Sequence, residues 1–326
     1  AGPLPGARMS ERPLSLHHAG PGRWGWALLA LAAALPALLA AAGLEFYTGV
    51  LTRVLVLAIA ASSLNLVLGF GGLVSFGHAA FVGLGAYTVA IAADAGLTSA
   101  WLAWPLAIGV SSLAAALVGA ISLRTRGVYF IMITLAFAQM FYFLAVSLRA
   151  YGGDDGLPLA ARSTLGWGLD LKDDNHLYAV ALALLVAVLA GLRALLNSRF
   201  GWLLQGSREN ETRMAALGSP VARVQWGAFV IAGGIAGLAG ALLANLNGLV
   251  TPHMLHWSQS GQLLVMVILG GTGSLWGGLI GAAVLLGLEE GLASFTLHGH
   301  LLLGAILLAV VLWAPRGIAG WRRRHG

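Results

Sequence analysis

Glu289 and Glu290 are the only acidic residues well inside an apolar stretch of this chain, and a carboxylate at membrane depth is costly enough to raise the question of function. Counted from Ser274 they lie about 22 Å along a helix, near one rim, where snorkelling or packing against another subunit accounts for them. A proton relay would need a paired Asp, Lys or carboxylate in another apolar stretch, and the sequence has none. His253 and His256 are spaced i,i+3, but no third ligand stands beside them, which argues against a metal site. Ser274 and His298 would form a nucleophile and base only if they met within a hydrogen bond of roughly 3 Å, and they fall near opposite ends of one helix. There is no G-x-x-x-x-G-K-[ST] and no cysteine, so neither a phosphate loop nor thiolate chemistry is available. No catalytic residue, metal or cofactor of its own is expected. The remaining candidates are neutral: Asn65, Ser75, His78, Thr134, Gln139, Asn245, Asn247 and Thr272. Each suits an interhelical hydrogen bond, and together they suit a path for a solute that needs hydrogen bonds without a fixed counter-charge.

The elements that position these groups are membrane helices. Of 326 residues 59% are hydrophobic and 9% charged, with a mean hydropathy of +0.85, against roughly 25% charged residues in soluble domains. Apolar stretches of about 20 residues recur, which is the helical rather than the barrel pattern. The chain reads as an all-α polytopic membrane protein of about ten spans: 24–43, 51–70, 76–93, 100–122, 127–148, 176–196, 224–246, 259–271, 274–295 and 299–314. Residues 1–23 read as a flexible cytoplasmic tail, 24–316 as one transmembrane domain and 317–326 as a basic cytoplasmic tail. The stretch 24–43 also resembles a secretory signal. With both termini inside, 14 of the 18 Lys and Arg fall on the cytoplasmic side, as the positive-inside rule requires. That explains the net charge of +6 without nucleic acid.

Two glycine-rich turns interrupt the spans, near 69–77 and 270–278. Gly72 and Gly271 in them either mark a translocation path or make tight hairpins. Gly233-xxx-Gly237 and Gly277-xxx-Gly281 read as helix-packing motifs. Between two spans lies a polar island, Ser207-Arg-Glu-Asn-Glu-Thr-Arg-Met-Ala-Ala-Leu-Gly218. It predicts one surface helix over Arg208 to Leu217, about 15 Å long, with Ser207 as N-cap, Glu209 and Glu211 in the first turn, Glu209 paired i,i+4 with Arg213, and Gly218 and Pro220 as stops.

That island resembles the cytoplasmic coupling segment of the LivM-type permeases of branched-chain amino acid ABC importers. The blocks Asn65 to Tyr87, Gly127 to Leu135, Leu269 to Gly277 and Ala314 to Gly317 are similar to that family's blocks, in its order. The resemblance implies a permease subunit in the inner membrane of a prokaryote, paired with a LivH-like permease. It further implies two ATPase subunits carrying ATP and Mg on the cytoplasmic side and an external solute-binding protein. Ser207, Arg208, Glu209, Asn210, Glu211, Arg213, Met214, Ala215, Ala216, Leu217 and Gly218 would form the ATPase contact, with Met214 and Leu217 as apolar anchors. Similar permeases carry urea, short amides and other small solutes, and a stand-alone channel or carrier is the remaining alternative.

Overall fold

The computed structural model describes residues 32, 34–35, 46–166, 171–295, 301–304, 307–308 and 317–318. Almost all of them are helical, in the order α1 (Phe46–Asn65), α2 (His78–Asp94), α3 (Ala100–Ser122), α4 (Val128–Ser147), α5 (Asp174–Leu196), α6 (Arg199–Glu209), α7 (Glu211–Ala216), α8 (Val221–Asn247), α9 (Trp257–Gly270) and α10 (Gly277–Phe295). Among the described residues five helices are long and apolar enough to cross a membrane: α1 with its extension to Phe70, α3, α4, α5 and α8. The expected spans at 24–43 and 299–314 lie outside the described residues, apart from isolated helical positions. His298 and the tail at 1–23 also lie outside them.

Small residues set the packing. The glycine face of α8 lies on α3, where a Cβ at Gly233 would strike Ala115 and one at Gly237 would strike Ser111. The same stripe continues onto α2: a Cβ at Gly240 would overlap the Val82 carbonyl, and one at Gly85 would overlap the Gly237 backbone. Gly277 and Gly281 meet the Gly271 and Met266 carbonyls across the α9–α10 hairpin. Without a hydrophobic drive between helices in lipid, such close backbone approach supplies the dispersion contacts that hold a bundle together. Phe81, Phe229 and Phe130 fill the centre edge to face, with ring centroids 5.6 and 6.2 Å apart.

At the acidic end, Leu157–Pro158 and Leu249–Val250 form a two-stranded antiparallel pair, β1 and β2. Asn245 at the end of α8 holds the same loop: its Oδ1 accepts from Ser163 N at 2.6 Å, and its amide donates to Ala241 O at 2.8 Å. Asn245 is therefore a structural brace.

The predicted surface helix differs from expectation. Asn210 adopts φ −154°, ψ 96°, an extended conformation that divides the island into α6 and α7. Ser207 does not cap. It lies within α6, buried, and donates to Leu204 O at 2.7 Å. The cap is Asn210, whose Oδ1 accepts from Arg213 N at 2.8 Å, because a short side-chain carbonyl at the start of a helix satisfies a donor that has no intrahelical partner. The break separates Glu209 from Arg213, and the ion pair falls instead between Glu211 and Arg126, 2.9 Å apart. Met214 turns inward onto Gly206, with Sδ 3.0 Å from where a Cβ would stand, leaving Leu217 as the exposed apolar residue, 74% accessible.

Candidate coupling and translocation site

Both glycine-rich turns come together at the arginine-rich end. The span that begins with α1 ends in a π-helix, Leu66–Phe70, a form that often marks functional sites. Asn65 at its head is buried and reaches across to the second turn. Its Oδ1 accepts from Gly273 N at 3.0 Å, and its Nδ2 donates to Ser274 O at 2.7 Å. One side chain thus satisfies both a donor and an acceptor of a backbone loop that no water-free environment would tolerate unpaired. Gly271 at φ +110° and Gly273 at φ +74° give the loop a path that L residues rarely adopt. Gly317, from the block Ala314 to Gly317, packs its backbone on Gly271, while Thr272 is exposed beside it.

Arg208 closes the arrangement from the polar island. Its Nη1 donates to the Gly69 carbonyl, in the π-helical turn, and stands 3.1 Å from where a Cβ on Gly273 would be. Its Cγ lies 2.9 Å from where a Cβ on Gly72 would be, and Gly72 has φ +72°. Both properties demand glycine there. The Arg208 side chain therefore bonds α6 to the turn at 69–72 and lies against the turn at 271–274. The island's other ties are also short: two residues, Asn197 and Ser198, separate α5 from α6, and Leu217 to Pro220 separate α7 from α8.

A second cluster sits deeper. A Cβ on Gly77 would stand 2.7 Å from the Thr134 carbonyl, so α2 starts about 9 Å inside the end of α4. The stretch before it is irregular, and backbone donors there and in the first turn of α2 are met by side chains. Phe76 N donates to Thr134 Oγ1 at 3.2 Å, Gly77 N to Ser75 Oγ at 3.2 Å and Ala79 N to Ser260 Oγ at 2.9 Å. Ser260 is the buried residue of the first turn of α9, a 14-residue helix that follows Leu255, which packs into the notch at Gly83. The interrupted halves of the chain thus meet, first residues to first residues, which is where a solute path is built in transporters with broken helices.

His78 lies buried in this cluster, 2.7 Å from Ser63 Oγ through Nε2. Ser63 gives its own proton to Ala60 O at 2.7 Å, so Nε2 carries the imidazole proton and donates. Nδ1 is left as an acceptor without a partner among the described residues. Beside the cluster, Leu57, Ala60, Ala79, Val82, Leu243 and Leu263 with Met254, Gln259 and Gln262 line a small cavity of about 40 Å³. Gln139 is half-buried on α4.

Of the remaining charged candidates Glu289, His253 and His256 have structural explanations, and Glu290 is exposed. Gln262 donates to Glu289 Oε1 at 3.1 Å. His253 and His256 stack at 5.9 Å, with His256 edge-on to Tyr142 and bonded to Ser258. No group of three metal-ligating side chains occurs among the described residues. Ser63, Ser260 and Arg126 were not legible as site residues, because a serine in an apolar stretch or an arginine at a span end carries no distinctive spacing.

Residues 46–311 match the model of the family described as the permease component of branched-chain amino acid transport systems. The chain belongs to that permease family. It is 30% identical over 315 residues to the high-affinity branched-chain amino acid transport system permease protein LivM of Salmonella typhimurium, and equally to LivM of Escherichia coli. In each case the match covers 90% of this chain and 73% of the relative. A probable LivH of Methanocaldococcus jannaschii is 28% identical over 162 residues, 44% of this chain and 49% of the relative. No solved structure matches. The family member described here is a multi-pass membrane permease, and its broken helices and their Asn65 and Arg208 ties are features of that permease.

Proposed function

We propose that this chain is one permease subunit of an ABC importer for leucine, isoleucine and valine, in the cytoplasmic membrane of a prokaryote, with its arginine-rich end in the cytoplasm. Its partners are a LivH-like permease, two ATPase subunits below and a solute-binding protein outside; ATP and Mg belong to the ATPases. One observation carries the reading. The α6–α7 segment offers Ala215, Ala216 and Leu217 to solvent while Arg208 bonds to the first glycine turn at Gly69 and lies against Gly273 of the second, so a protein that displaces the segment pulls on the interrupted helices too. Neutral hydrogen-bonding groups along the inner cluster suit a zwitterion carried through without a counter-ion.

The test is uptake by vesicles holding the complete importer, offered labelled leucine, isoleucine, valine and urea, alongside the same importer with Ala216→Asp. An unpaired charge in a close contact costs a few kcal/mol, about 3–5, where it is desolvated. The variant is expected to insert and pair with the second permease but to lose its ATPases on purification and its leucine uptake. Urea uptake in place of leucine, or full ATPase retention by the variant, contradicts the assignment.

A further inference from the structure

A cleft of about 240 Å³ opens beside the coupling segment, between the turn at 71–73, the α3–α4 connection and α6–α7. Its wall holds two cations, Arg126 and Arg208, one carboxylate, Glu211, the amide of Gln225 and the aliphatic side chains of Leu73 and Leu123. Gln225 is the unusual member: it is only 7% exposed on α8, yet its side-chain amide has no hydrogen-bond partner among the described residues. Neither amide atom is sealed away as an orphan, and the residue lines the cleft, so the amide is open to a partner bound there.

We propose that this cleft is a cytoplasm-facing binding site for the transported α-amino acid in its zwitterionic form. The proposal rests on the importer reading for its orientation and its ligand. A carboxylate fits the guanidinium forks of Arg126 and Arg208, taking the place of Glu211 on one and of the Gly69 carbonyl on the other, since arginine presents its donors in a planar fork that matches a carboxylate. The ammonium group fits Glu211 and the Gln225 carbonyl. The branched side chain lies against Leu73 and Leu123. The volume is below the roughly 300–1,000 Å³ of pockets for drug-sized ligands, on the scale of a single amino acid. A nucleotide is disfavoured by Glu211 and by the absence of a phosphate loop. A neutral amide such as urea would leave both charge signs unanswered.

Occupancy has a mechanical consequence. The ligand's two charged ends compete with the Arg126–Glu211 pair and with the bond from Arg208 to Gly69. Arg126 is 77% exposed in that pair, and such pairs hold weakly, so a ligand that offers both charges displaces it readily. Those two contacts tie the segment to the α3–α4 connection and to the first glycine turn. Amino acid accumulating in the cytoplasm therefore slackens the link and slows import, a product feedback built into the permease.

The experiment uses the complete importer in proteoliposomes with the ATPases facing outward, so that leucine added to the bath reaches the cleft. Bath leucine is expected to lower binding-protein-stimulated ATP hydrolysis, whereas isocaproate, which lacks the ammonium, and isoamylamine, which lacks the carboxylate, are not. Gln225→Leu, which keeps the volume and removes the amide, and Leu123→Glu, which sets a second carboxylate against the ligand's own, should each make inhibition roughly tenfold weaker. Uptake from the opposite side should persist in both, and the second variant keeps the test decisive if the first does not assemble. Absence of inhibition in an importer that takes up leucine overturns the cleft, as does equal inhibition by isocaproate, or inhibition unchanged in both variants. Absence of leucine uptake altogether overturns the importer reading instead.

Discussion

Asn65 and Arg208 divide the work of holding two loops that have no secondary structure of their own. Asn65 is buried and makes two bonds to the backbone of residues 273 and 274; Asn65→Leu leaves an N–H and a carbonyl orphaned, at about 1–3 kcal/mol for each group. The expected outcome is a permease that inserts but melts earlier in detergent, with leucine uptake reduced several-fold; an unchanged melting temperature would show that the loop has other support. Asn65 was legible in the sequence as a polar residue in an apolar stretch, and so were Gly72 and Gly271, but their meeting was not. Some two hundred residues separate Asn65 from its partners, and no local pattern reports a contact of that range. Arg208 was legible as part of a polar island. Its bond inward was not, because an arginine on a surface helix ordinarily points to water.

Among the elements, the long spans α3, α4, α5 and α8 fell within a few residues of the apolar stretches, since about twenty apolar residues bounded by Arg, Gly or Asp leave little choice. The polar island was less legible. Its composition announced a helix, yet Asn210 competes with its own backbone as a cap, and the result is two short helices with different faces exposed. Glycine spacing on α8 forecast packing correctly, though not that one stripe would serve α3 and α2 together. Gly240 is the sharpest test of that stripe, because a Cβ there overlaps the Val82 carbonyl and backbone cannot move aside cheaply. Gly240→Ala is expected to destabilise the bundle by about 1–3 kcal/mol, while Gly191→Ala, with nothing within 4 Å, changes the melting temperature little. Equal effects of the two would mean that α2 and α8 yield to each other.

For the whole molecule, the proposed importer has its arginine-rich end, with α6 and α7, facing the cytoplasm and its Asp154–Asp155 loop facing outward. The chain contains no cysteine, so single cysteines at Thr212 and Asp155, both exposed, report each side. A membrane-impermeant thiol reagent applied to intact cells should label Asp155→Cys and spare Thr212→Cys; the reverse would invert the topology and remove α6–α7 from the reach of ATP.

On the importer reading, ATPase movement passes from the island to the glycine turns through the Arg208 side chain. This claim is tested most directly by measuring leucine uptake and binding-protein-stimulated ATP hydrolysis together in proteoliposomes of the complete importer carrying Arg208→Ala. Because the docking face at Ala215 to Leu217 is untouched, the ATPases should remain bound and hydrolysis should continue at its basal rate. The stimulation and the uptake should both fall at least several-fold. Uptake and stimulated hydrolysis equal to those of the unaltered importer would contradict the claim.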